Sequence, residues 1–102
     1  MKIINTAEFD EMIKNGVTFI DFFADWCGPC KMLGPVVEEV SNDYPEIEFA
    51  KVNVDDNMDL AERFQIMSIP QIYMFKDGEV IGKFGGYKDA AGVKAFIDGV
   101  TK

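Results

Sequence analysis

Ala24-Asp25-Trp26-Cys27-Gly28-Pro29-Cys30-Lys31 holds both cysteines of the chain and sets them three residues apart. The run before it, Val17 to Phe23, is β-branched and aromatic on both faces, as expected of a central strand covered by helices on each side. After it, Leu33, Val36, Val37 and Val40 recur at helical spacing, with Glu38, Glu39, Asn42 and Asp43 mostly opposite. That spacing predicts a long amphipathic helix with the cysteines at its start. A Cys-x-x-Cys pair that closes a strand and opens a helix puts its first sulfur beside unpaired backbone N–H groups, at the positive end of the helix dipole, which favours thiolate over thiol. The second sulfur lies one turn in, close enough to complete a disulfide. The arrangement suggests a reversible dithiol/disulfide couple rather than a structural staple. Pro29 falls in the first turn, where a missing N–H costs little, whereas Pro35 lies inside the helix and should kink it.

Working outward, Lys2 to Asn5 is a short strand candidate, and Thr6 can cap a helix over Ala7 to Asn15 that Gly16 ends. Ile47 to Val54 reads as a strand with Lys51 among apolar neighbours, and Met58 to Phe64 as a short helix. The loop Met67-Ser68-Ile69-Pro70 leads into a strand at Gln71 to Phe75. Asp77-Gly78 marks a two-residue hairpin into Glu79 to Phe84, so these last two strands should be antiparallel. Gly85-Gly86 breaks the chain, and Ala90 to Val100 closes it as a helix. The order βαβαβαββα implies an α/β fold with a mixed five-stranded sheet, four helices on its two faces, and one domain over residues 1–102.

Ten basic against 18 acidic residues give a formal charge of −8, with no Lys/Arg cluster, so nucleic acid and anionic membrane are poor partners. The chain has no histidine, which removes the commonest general base and any Cys-His or Ser-His pair. Two cysteines without histidine would need carboxylates or a second chain to hold zinc, so no metal is expected. Met1-Lys2-Ile3-Ile4-Asn5-Thr6 lacks a secretory pattern, and no run approaches the ~20 apolar residues of a membrane span. Both features suggest the cytoplasm, where a cysteine pair is more often catalytic or metal-binding than structural. Met12, Met32, Met58, Met67 and Met74 read as packing residues.

Trp26-Cys27-Gly28-Pro29-Cys30-Lys31 resembles the active site of the thioredoxin family. The resemblance spans nearly the whole chain: Asp21 stands where the family has a buried aspartate, Pro35 where it kinks the second helix, Ile69-Pro70 where it keeps a cis-proline, and Gly86 where it keeps a glycine beside the groove. Phe23 and Gln71 depart from it, replacing a frequent tryptophan and a usual threonine, and Gln71 could alter which substrates fit. The resemblance implies a thioredoxin fold and a protein-disulfide reductase without bound cofactor. In it Cys27 is the exposed, low-pKa nucleophile, Cys30 the buried resolving thiol and Asp21 the general base. Gly28, Pro29 and Lys51 tune the site, while Trp26, Ile69, Pro70 and Gly86 contact substrate. It further implies a monomer acting on disulfide-containing proteins and recharged by an NADPH- or ferredoxin-linked thioredoxin reductase. Plainer readings stand beside these roles: Asp21 as a satisfied polar residue, Lys51 extending to solvent instead of pairing with Asp21, Pro70 opening an edge strand, Trp26 as core, and Gly28 and Gly86 serving turns. The competing functions are a docking module around Trp26, Ile69 and Gly86, and a disulfide donor. Gly28-Pro29 argues against the donor, because oxidants similar to this family usually carry a histidine there.

Overall fold

In the computed structural model, which describes Met1–Lys102, the elements follow the expected order. They are β1 (Lys2–Ile3), α1 (Thr6–Met12), β2 (Val17–Phe23), α2 (Gly28–Ser41), β3 (Glu48–Asn53), α3 (Met58–Arg63), β4 (Gln71–Lys76), β5 (Glu79–Gly85) and α4 (Ala90–Thr101). The sheet runs β1-β3-β2-β4-β5, parallel from β1 to β2 and antiparallel from β2 to β5. Strand β2 is therefore central, as its two apolar faces require.

Alternation along β2 divides the core. Ile20 and Phe22 face α1 and α3, packing with Phe9, Leu60, Tyr73 and Phe75. Phe19 faces α2 and α4, packing with Leu33, Val37, Val93 and Ile97. Asp21, two residues on from Phe19, shares that second face by the strand's period of two. All of these side chains are buried, Asp21 included.

Asp77 and Gly78 both take positive φ, 50° and 89°, and join Lys76 to Glu79 as the two-residue hairpin that the dipeptide signals. The Asp77 carboxylate also accepts from the Gly16 N–H at 2.8 Å, fastening the hairpin tip to the α1–β2 turn. Helix α2 continues through Pro35, which lies on its exposed side.

Helix α1 is capped one residue earlier than expected. Asn5, not Thr6, is the N-cap: its side chain accepts from the Glu8 N–H at 2.9 Å, and the Glu8 carboxylate accepts from the Asn5 N–H at 3.0 Å. This reciprocal box needs a Glu three residues beyond the cap, and only Asn5 has one. Thr6 instead ties α1 to α3, donating its hydroxyl to Asp59 at 2.8 Å. Asn5→Ala should lower stability by about 1 kcal/mol, measured by urea melts, with Thr6→Ala costing less if the box dominates.

Candidate active site

The C-terminal ends of the parallel strands β2 and β3 lie on one edge of the sheet, and Phe23 pairs with Asn53 there. The chain leaves β2 at that edge, turns through Ala24 to Trp26, and enters α2. Cys27 is the N-cap of α2, with extended backbone, and its sulfur accepts from the Cys30 N–H at 3.2 Å. A sulfur thus occupies the position where Ser or Asp oxygens cap most helices. Gly28 and Pro29 fill the first two helical positions, and Pro29 has no N–H to compete. Cys27 and Cys30 are joined as a disulfide, their Cα atoms 5.3 Å apart.

Both cysteines are buried, each only 4% exposed, so the expectation of an exposed Cys27 does not hold in the disulfide state. Bonded to Cys30, the Cys27 sulfur packs with Phe23 and Ala24 and lies 3.7 Å from the Ile69 carbonyl oxygen. What distinguishes the two sulfurs is their relation to the helix: the N-cap sulfur receives the backbone N–H and the dipole.

The Ile69–Pro70 bond is cis, and Pro70 is buried at the start of β4. The Pro70 carbonyl accepts from the Gly86 N–H at 2.9 Å, which joins the proline loop to the end of β5. Gly86 has φ of +82°, and a Cβ added there would meet nothing within 4 Å. Its backbone angle therefore accounts for the glycine. An added Cβ at Gly28 would also meet open space, so crowding within the chain explains neither residue. Gln71 donates its side-chain amide to the Phe84 carbonyl at 3.2 Å, which fixes the departure from threonine against β5 and beside Gly85.

Asp21 is fully buried, and neither carboxylate oxygen has a hydrogen-bond partner. Burial pushes its pKa up from 3.8 to about 6, opposed by the Lys51 charge. Lys51 sits opposite Asp21 on β3, yet the two form no ion pair. Instead the Lys51 ammonium lies 4.3 Å from the centroid of the Phe23 ring and extends to the surface clefts that Cys30 and Lys31 also border. The long lysine stem lets the charge stay hydrated while still acting on Asp21 through space, so of the two readings of Lys51 the extension to solvent holds.

Trp26 is 71% exposed, and its indole N–H donates to Asp55 at 2.9 Å. Asp55 escaped the sequence reading. The signal for it was positional, because it follows the end of a strand parallel to β2 and so reaches the same edge. The methionines divide: Met74 is core, whereas Met32, Met58 and Met67 are 62%, 72% and 92% exposed. Those three are surface residues, contrary to the packing expectation.

A helix-capping disulfide at the end of a central strand, beside a cis-proline loop, defines a thiol-disulfide oxidoreductase. The thioredoxin family model matches residues 1–99. A thioredoxin of Chlamydia pneumoniae is 42% identical over 89 residues, 87% of each chain. The solved thioredoxin of Plasmodium falciparum superposes with a TM-score of 0.89 at 37% identity, covering 96% of this chain and 98% of that one. A chain from a structural study of thiol resolution in the yeast mitochondrial 1-Cys peroxiredoxin through the glutathione and thioredoxin systems superposes at 0.85, with 36% identity and 96% and 94% covered. The chain belongs to the thioredoxin family and has its fold. It is a dithiol/disulfide redox protein whose couple is Cys27–Cys30.

Proposed function

We propose that this chain reduces disulfides in other proteins, with Cys27 as nucleophile, Cys30 as resolving thiol and Asp21 as base. The observation that carries the assignment is the Cys30 N–H pointing at the Cys27 sulfur, which stabilises a thiolate on Cys27 and not on Cys30. The Cys27 thiolate attacks one sulfur of the substrate disulfide, and the other leaves as a thiolate and takes a proton from water. Asp21 then accepts the Cys30 proton, directly or through water. The Cys30 thiolate attacks the Cys27 sulfur, the Cys27–substrate bond breaks, and the second substrate thiolate leaves. The substrate gains two electrons and this chain loses two.

Trp26, Ile69, Pro70 and Gly86 frame the site on the substrate side. Gly28 and Pro29 hold the helix start, and Lys51 adjusts Asp21 from a distance. A thioredoxin reductase, NADPH- or ferredoxin-linked, returns the electrons. We read residues 1–102 as one domain acting as a cytoplasmic monomer; the single five-stranded sheet supports the one domain. Reduction of insulin disulfides by dithiothreitol, with and without the protein, tests the reading. Marked acceleration is expected. Acceleration lost when both cysteines become serine supports chemistry, whereas a protein that binds partners equally well without either thiol and gives no acceleration is a docking module.

A further inference from the structure

Beside the disulfide lies an open groove of about 850 Å³, walled by the active-site turn, α3 and the loop before Pro70. Trp26, Val54, Met58, Ile66, Met67 and Ile69 give it an apolar floor and rim. Trp26, Met58 and Met67 leave most of their surface in solvent, which is a concentration of apolar side chains that a monomer's surface does not usually carry. The groove adjoins the reacting sulfur without being lined by it: Ile69 lines the groove and places its carbonyl 3.7 Å from the Cys27 sulfur.

Its charges are one-sided. Asp55 and Glu62 are the only ionisable residues lining it, and no cation does. Asp55 is engaged by the Trp26 indole, while the exposed Glu62 carboxylate has no hydrogen-bond or ion-pair partner. Arg63, next to it in sequence, is turned away to α1 and held by Asp10 at 2.6 Å. Lys31 and Lys51 line the separate clefts behind Cys30. A bound segment would therefore meet apolar surface with an unneutralised anion at its edge.

We propose that this groove selects the substrate: an extended segment flanking the target cysteine that carries a bulky apolar residue and a Lys or Arg, with Glu62 as the residue that reads the positive charge. The inference rests on the reductase reading and names the substrate class for that same site. Apolar burial supplies affinity, and the cation, drawn to Glu62 at the rim of a low-dielectric surface, supplies discrimination against acidic segments.

The test uses two probe peptides, Lys-Leu-Cys-Leu-Lys and Glu-Leu-Cys-Leu-Glu, each as its symmetric disulfide, turned over by the full chain with dithiothreitol as reductant. Dividing each rate by that of dithiothreitol alone removes the peptides' intrinsic difference in disulfide reactivity. The lysine probe should then show the higher kcat/KM by about tenfold, through KM, and the preference should shrink with added salt. Glu62→Lys should cut the preference by about threefold or more. Glu46→Lys makes the same change in net charge from an exposed position before β3, at the opposite edge of the sheet, and should leave most of the preference in place. Equal turnover of the two probes, or an equal loss of preference in both variants, overturns the groove assignment while the reductase reading stands. If neither probe is turned over faster than by dithiothreitol alone, the reductase reading falls with it.

Discussion

Cys30→Ser should trap the protein on its substrate, and Cys27→Ser should abolish reduction altogether. The two sulfurs differ in what surrounds them: Cys27 is the N-cap that accepts from the Cys30 N–H at 3.2 Å, and Cys30 lies one turn into the helix. Without Cys27 the chain has no sulfur at the helix N-terminus. Its contribution to insulin reduction should drop at least about a thousandfold, to the level of dithiothreitol alone, because Cys30 lacks the interactions that hold a thiolate. Without Cys30 the first attack still proceeds, but nothing inside the protein can displace the substrate. A species of mass equal to protein plus half-reduced substrate should accumulate, stable until an external thiol is added. If Cys27→Ser instead yields the trapped species and Cys30→Ser is inert, the order of attack is the reverse of the one proposed.

How much of this was legible in the sequence depended on whether the cause was local. Asp77-Gly78 announced its hairpin because those two residues tolerate the positive φ that the turn demands. The Val17–Phe23 run announced a central strand because neither of its faces could be left in water. The box at Asn5 was legible too, since Glu8 stands three residues after Asn5 and not after Thr6, but two adjacent capping residues hid it. The cis bond at Ile69–Pro70 followed only from resemblance. Nothing in the residues themselves forces that isomer, which depends on the neighbours the fold brings up. Strand order, the Trp26–Asp55 bond and the groove beside it arise from which loops meet at one sheet edge, and residue spacing does not encode that. Lys51 shows the same limit. Its register opposite Asp21 was accessible to reasoning, but the direction of a flexible stem was not, and the charge went to the Phe23 ring and the surface. The exposed methionines were misread because an apolar, adaptable side chain suits packing, while exposure depends on what the fold brings over each one.

Asp21→Asn should stabilise the folded protein at neutral pH and slow its resolving step, two effects with one origin. The carboxyl is buried without a hydrogen-bond partner, and its pKa stands at about 6 against 3.8 for the free group. Below pH 3.8 it is protonated in both the folded and the unfolded chain, and the fold bears no cost for its charge. Between about 3.8 and 6 the unfolded chain releases the proton while the folded one keeps it, so stability falls as pH rises, and above 6 the full penalty remains. The shift corresponds to about 3 kcal/mol, which asparagine, of the same shape and without a charge, should recover at pH 8 and not at pH 3.5. Urea melts of the disulfide forms at the two pH values measure it; a stability difference independent of pH would mean that Asp21 ionises in the fold as freely as in water. A group that costs this much to bury and ionise is tolerable where its proton affinity is used, and a base near pH 6 can take a thiol proton at neutral pH and release it again. Asp21→Asn should therefore lower the rate at which the mixed disulfide is resolved by about tenfold to a hundredfold at pH 7, with the first attack by Cys27 much less affected. Rapid-quench measurement of both steps separates them, and an unchanged resolution rate would leave Asp21 a destabilising buried acid with no part in proton transfer.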